Sequence, residues 1–178
     1  FMIGNRLGIN FEAPAKTHSD KDPNLLPYTT VGDAILDIAG LNEKDIPNHI
    51  ALAHKPLVAE RMSYVPEGGK LDLNTLPEHL QNATRKDSKT GKVANYSHVY
   101  KRLDRNKPST TMVPGHNAFP IHPTLNRTLT PREAARIQTF PDTLEFFGTR
   151  QQQCIQAGNA VPPKMAEPFF KKINEYRG

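Results

Sequence analysis

The chain holds one cysteine in 178 residues. That excludes an internal disulfide and any cysteine-cluster zinc site. No apolar run approaches the roughly 18 residues a membrane span needs, and no leader of the basic-then-apolar kind opens the chain. The expectation is a soluble, cytoplasmic protein with no membrane partner. No Gly-x-Gly occurs, so the glycine-rich loops that cradle phosphates or dinucleotides are missing. The seven histidines show no His-Glu-x-x-His or comparable spacing, and no metal site is expected. Hydrophobic residues reach only 37% and mean hydropathy is −0.60, so the core is economical or is completed by a partner.

Proline, by contrast, is abundant. Sixteen prolines give about twice the ordinary share, which favours turns and extended connections over a helical bundle. The length suits one domain, which would bury about 70% of its unfolded surface. Charge is unevenly placed. Residues 61–107 carry ten basic and five acidic side chains, which accounts for the whole net charge of +5. A concentrated basic segment suits a polyanion, because neutralised phosphates release condensed counterions. A lysine-rich solvated loop has the same composition.

Local signals place the elements. Phe1–Asn5 is a short apolar run ended by turn formers, read as a buried strand without a natural beginning and so as part of a fragment. Thr30 and Asp33 mark a helix start, Ala34, Ile35 and Ile38 its apolar stripe, and Gly40 its end. Residues 47–107 read as irregular, with a short helix near Pro77–Ala83. Thr130-Pro131-Arg132-Glu133 has a threonine cap, a proline at the first helical position and a glutamate at the third. That helix runs until Phe140-Pro141 breaks it. Gly158–Pro163 reads as a turn leading to a last helix, where Met165, Phe169, Ile173 and Tyr176 recur at spacings of four, four and three. Pro168 inside that pattern is expected to bend or delay the helix. Cys154, between Gln153 and Ile155, reads as a small packed residue rather than a nucleophile.

Two of these segments carry a family resemblance. Arg127–Asp142 resembles the ninth conserved motif of DNA (cytosine-5)-methyltransferases, and Gln156–Pro163 resembles the tenth, in the family's order and spacing. Arg102-Leu103-Asp104, Lys107–Met112 and His122-Pro123 fit the stretch before the ninth motif, and Phe1–Gly4 resembles the strand after the eighth. The resemblance implies an α/β class: the C-terminal portion of a cofactor-binding mixed-sheet methyltransferase fold with a small irregular target recognition domain. Residues 1–20 would give an edge strand and connection, 21–120 the recognition domain, and 121–178 the two motifs returning to the catalytic domain. The family attacks C6 of a flipped cytosine with a Pro-Cys cysteine, assisted by Glu-Asn-Val, and binds S-adenosylmethionine largely through Phe-x-Gly-x-Gly. None of these three occurs here, so the intact protein would be the enzyme, and this chain alone would be inactive with no catalytic residue.

The resemblance also suggests sites. Asn159, Ala160 and Val161 would border S-adenosylmethionine, with a helix N-terminus suiting its carboxylate; a turn that merely docks the last helix is the plainer reading. Arg61, Gly68, Gly69, Lys101 and Arg102 are candidates for groove or phosphate contact, two or three of them being expected to serve. Thr111 would reach the backbone near the target base, or is a strand threonine. His116 and Asn117 would meet phosphate or a base edge, or form a surface turn. Arg132 and Glu133 would organise the recognition domain. The partners implied are double-stranded DNA and a missing catalytic half, in the same chain or as a separate subunit. Three functions follow: part of a restriction–modification methyltransferase, the recognition subunit of a split one, or a stand-alone DNA-binding module.

Overall fold

The computed structural model describes residues 3, 4, 6, 8, 10–72, 75–81, 100–113 and 119–176. The chain forms two compact units, Thr29–Ala160 and a smaller one made of Phe1–Tyr28 with Val161–Gly178. In the larger unit, α1 spans Val31–Ile35, α2 Pro56–Ser63, α3 Glu78–Gln81, α4 Pro131–Ile137 and α5 Arg150–Asn159. Three starts are fixed by reciprocal capping boxes: Thr30 with Asp33, Thr130 with Glu133 and Thr149 with Gln152. The first two are the caps the sequence predicts. The predicted first helix is shorter than its stripe, because after Ile35 the backbone tightens into a 3₁₀ turn over Leu36–Ile38.

Ala134 and Ala135 are fully buried, and their small side chains let α4 pack against both α1 and α5. Around them lies the main core, built from Val31, Ile35, Leu103, Phe119, Leu129 and Cys154 among others. Each fully buried aliphatic or aromatic chain there contributes about 1.5–3 kcal/mol. Cys154 has no exposure, and burial pushes its thiol up, consistent with packing rather than nucleophilic chemistry. A second core joins Met62, Val65 and Ile121, with Val58, Leu71 and Tyr100 against it.

Several expectations change. Gly158 and Asn159 belong to the last turn of α5, so the connection begins at Ala160. Helix α4 stops before Phe140 because Thr139 adopts φ 64°, donating its N–H to Arg136 O while Phe140 N–H reaches Ala135 O. Among the described residues pairing consists of isolated bridges, and the mixed sheet has no strands here. Of the expected edge strand, Phe1 and Met2 lie outside the described residues, while Ile3 and Gly4 are exposed and in no strand. In the smaller unit, α6 runs unbroken over Pro163–Glu175 despite Pro168. The Phe11 ring lies 5.8 Å from that of Tyr176, which caps this helix.

With so little regular pairing, many carbonyls need other donors. Arginines supply them. Arg102 donates from Nε to Val65 O (2.8 Å), from Nη1 to His122 O and Leu125 O (both 2.8 Å), and from Nη2 to Met62 O (2.6 Å) and Asn126 Oδ1 (2.7 Å). Those five acceptors match its five N–H donors. The expectation that Arg102 meets DNA therefore gives way to a structural role. Arg132, which is fully buried, donates to Pro47 O, Pro141 O, Leu144 O and Asn48 Oδ1. Asn48, at φ 64°, exchanges side-chain bonds with the Phe146 backbone in both directions (2.8 and 2.9 Å). Arg150 holds Ile50 O and Leu129 O.

Beside α4 the buried polar layer contains Glu133, clamped by Arg127 through both carboxylate oxygens (2.7 and 2.8 Å). Burial alone would raise Glu133, but Arg127 and the Thr130 N–H bring it below the usual range. His122 Nδ1 accepts from the N–H groups of Thr124 and Leu125 (3.2 Å each), which leaves the ring proton on Nε2, 3.7 Å from Glu133. Burial pushes His122 down to about 4, with Arg127, Arg102 and His49 adding to the fall and Glu133 opposing it. His49 and His54 are lowered by the same burial.

Two outcomes follow from this layer. Arg102→Lys keeps a charge but loses the planar fork, so urea unfolding should show a loss of about 3 kcal/mol or more; unchanged stability would contradict the hub. For His122, the unfolded chain binds a proton below about pH 6.5 that the folded chain refuses until about pH 4. Stability is therefore fully present above pH 6.5 and falls as the pH drops. Between pH 7.5 and 5, His122→Asn, which keeps an acceptor for both N–H groups, should lose about 2 kcal/mol less than the parent. Equal losses would contradict a neutral buried His122.

Candidate nucleic-acid interface

The segment 66–71 folds back on 100–104 for a local reason. Pro66-Glu67-Gly68-Gly69 closes a turn in which Gly69 N–H donates to Pro66 O (3.0 Å), and Gly68 takes φ 73° at the third position. A Cβ there would also crowd the Asp104 side chain at 3.2 Å, so the positive φ and the tight fit both favour glycine. Gly68 N–H then reaches Leu103 O, Arg102 N–H reaches Gly69 O (3.0 Å) and Leu71 N–H reaches Tyr100 O (3.0 Å). Ile121 continues the pairing from Arg102 and hands it to Thr128. The Gly-Gly turn, Lys101 and the start of the ninth motif are thus joined by backbone bonds.

The charges around this ladder are sorted by direction. Arg61 is buried, with Nε on Leu80 O (3.0 Å) and Nη2 without a hydrogen-bond partner among the described residues. Like Arg102, it faces the interior. Arg105 is exposed but paired with Glu67 (2.8 Å), whose carboxyl it holds below the usual range. Lys107 pairs with Asp104 at 2.9 Å. Asp104 is held low first by the Asn106 backbone N–H and then by Lys107. Lys101 is half-buried and makes no ion pair among the described residues.

Thr111 is exposed beside buried Met112, and its hydroxyl makes no hydrogen bond among the described residues. It is free to donate outward. His116 and Asn117 lie outside the described residues, as do Arg85, Lys86, Lys89 and Lys92 of the basic segment. The structure thus brings Gly68, Gly69 and Lys101 together and sends Arg61 and Arg102 inward.

The three residues expected near the cofactor are consecutive but differ in setting. Asn159 ends α5, exposed and with its side chain making no hydrogen bond among the described residues. Ala160 is half-buried, and Val161 is 54% exposed. Asn159 and Ala160 belong to the larger unit and Val161 to the smaller, and each is a separate candidate for contact with S-adenosylmethionine. The α6 N-terminus fits its carboxylate poorly. Pro162 and Pro163 carry no N–H, and the N–H groups of Met165 and Ala166 both bond Pro162 O at 3.0 Å. Among the described residues no group of three or more His, Cys, Asp or Glu side chains forms a metal site, and no helix is long and apolar enough to cross a membrane.

Sequence reasoning missed α5 and α2. Thr149-x-x-Gln152 is a capping box, and Pro56 stands at the first turn of α2, so both signals were present. It also missed Asn48, whose role depends on a loop 98 positions away.

The family model for C-5 cytosine-specific DNA methylases matches residues 1–175. The type II methyltransferase M.NgoFVII of Neisseria gonorrhoeae is 34% identical over 97% of this chain, and M1.HphI of Haemophilus parahaemolyticus is 37% identical over 97%. The chain spans only 44% and 42% of those two relatives. The type II methyltransferase M.AquIB of a Picosynechococcus strain is 39% identical over 73% of this chain and 88% of its own length. A crystal structure of a DNA modification methyltransferase encoded within an E. coli prophage superposes with a TM-score of 0.50 at 29% identity, covering 73% of this chain and 29% of that one. With its motifs in order and the family's pattern along nearly its whole length, this chain belongs to the C-5 cytosine-specific DNA methylase family.

Proposed function

We propose that this chain is the C-terminal, target-recognising portion of a DNA cytosine-5 methyltransferase of restriction–modification type, with residues 21–120 carrying recognition. The observation that carries the reading is the ninth and tenth motifs in a chain that lacks Pro-Cys, Glu-Asn-Val and Phe-x-Gly-x-Gly and that covers less than half of M.NgoFVII and M1.HphI. The chemistry then needs a second body of protein. When bound, S-adenosylmethionine supplies the methyl group that C5 of cytosine receives. This chain's own residues bind and orient. Lys101 and the Gly68–Gly69 turn meet the DNA backbone, Thr111 donates its hydroxyl near the target base, and His116 and Asn117 extend the contact. Arg61 and Arg102 hold that surface in shape from behind. Asn159 and Ala160 at the end of α5, and Val161 in the smaller unit, are each taken as a cofactor contact. The largely uncovered apolar positions of α6, where Met165 is 53% and Phe170 64% exposed, suit packing against the catalytic half.

A second reading has one observation in its favour. M.AquIB is matched over 88% of its length, so that relative is itself a chain of about this size. On that reading this chain is a recognition subunit beside a separate catalytic chain carrying Pro-Cys. Native mass in source cells separates the two, since a product near 19.9 kDa favours the subunit and one about twice as large or more favours the single chain.

Complementation tests the shared core of both readings. Transfer of labelled methyl from S-adenosylmethionine to duplex DNA should be absent with this chain alone. It should appear when a chain bearing the family's Pro-Cys and cofactor loop is added. Tight sequence-specific DNA binding without any complementation would make the chain a stand-alone binding module instead.

A further inference from the structure

Lys70 and Lys101 are directly opposed in an antiparallel bridge. The bonds from Leu71 N–H to Tyr100 O and from Arg102 N–H to Gly69 O flank them on either side. That makes them the non-hydrogen-bonded kind of pair, in which the two side chains leave the same face with Cβ atoms about 4.5–5.5 Å apart. The alternation fixes which face. Leu71 and Tyr100 pack on the second core and Arg102 is buried, so Lys70 and Lys101 stand on the opposite, outer side. Like charges at this closest cross-strand position are destabilising. Nothing among the described residues relieves them, because Glu67 is engaged by Arg105 and Asp104 by Lys107, and neither Lys70 nor Lys101 makes an ion pair.

We infer that Lys70 and Lys101 form a two-ammonium clamp for the phosphodiester backbone of DNA, held on the outer face of the ladder beside the Gly68–Gly69 turn. The inference rests on the recognition role proposed above and adds Lys70, which sequence reasoning passed over. The bound anion supplies the counter-charge that no described residue provides. Because a lysine ammonium is a point charge, the clamp sets position and affinity and leaves base choice to other residues.

The test uses the full chain, a 30-base-pair duplex of mixed sequence, and affinity measured across a salt series. Lys70→Gln with Lys101→Gln should weaken binding about 10-fold at low salt and flatten the plot of log affinity against log salt by about 1 or more. Melting of the free double variant should stay at or above the parent, since a repulsion has been removed, so weaker binding is not misfolding. Lys44→Gln, an exposed lysine elsewhere in the larger unit, should leave the slope unchanged. An unchanged slope in the double variant, or an equal fall with Lys44→Gln, overturns the clamp while leaving DNA recognition standing. No duplex binding by the parent at low salt overturns the recognition reading and the clamp with it.

Discussion

The fold depends on guanidinium groups meeting backbone carbonyls inside the protein. A chain with 16 prolines and only isolated bridges among its described residues leaves many carbonyls outside any regular ladder. Left unpaired in a dry interior, each would cost about 1–3 kcal/mol. Arg102 satisfies five acceptors from two stretches of chain, 62–65 and 122–126, and Arg132 ties the 47–48 loop to the 141–144 loop. Lysine has neither the fork nor the number of donors for that task.

This constraint divides the basic residues of the segment 61–107. Arg61 and Arg102 belong to the same charge excess as Lys70 and Lys101, yet the two arginines are buried and bonded to backbone carbonyls. Among the described residues Lys70 and Lys101 remain without an ion pair, while exposed Arg105 and Lys107 are held by Glu67 and Asp104. On the function proposed above, such a surface would read position through phosphate while its shape is set from within. The buried layer of Glu133, Arg127, His122 and Thr130 serves the ninth motif in the same manner, joining its helix to the ladder that ends at Thr128.

Much of the helical framework was legible in the sequence because capping is a local code. Thr30 with Asp33 and Thr130 with Glu133 announce α1 and α4 within four residues, and the motifs at 127–142 and 156–163 announce the family. Gly158 misled because glycine near a helix end usually terminates it, whereas here the helix carries it and Asn159 to the last turn. Thr139 misled in the opposite way, since a threonine with positive φ ends α4 where glycine would be expected. The destination of Arg102 was not legible at all. An arginine beside a lysine in a basic run suits phosphate and a carbonyl cage equally, and only the long-range placement of residues 62–65 and 122–126 decides between them. The Lys70–Lys101 pairing is equally non-local, being set by a turn and a register across 31 positions.

The central claim is that buried arginines shape this surface and that Lys70 and Lys101 meet the DNA. Residue-selective chemical footprinting read by mass spectrometry tests it most directly, with an arginine reagent and a lysine reagent applied to the chain with and without duplex DNA. The account predicts Arg61 and Arg102 unreactive in both states, and Lys70 and Lys101 reactive in the free chain and shielded by DNA. Arg102 reactive when free and shielded by duplex would contradict it.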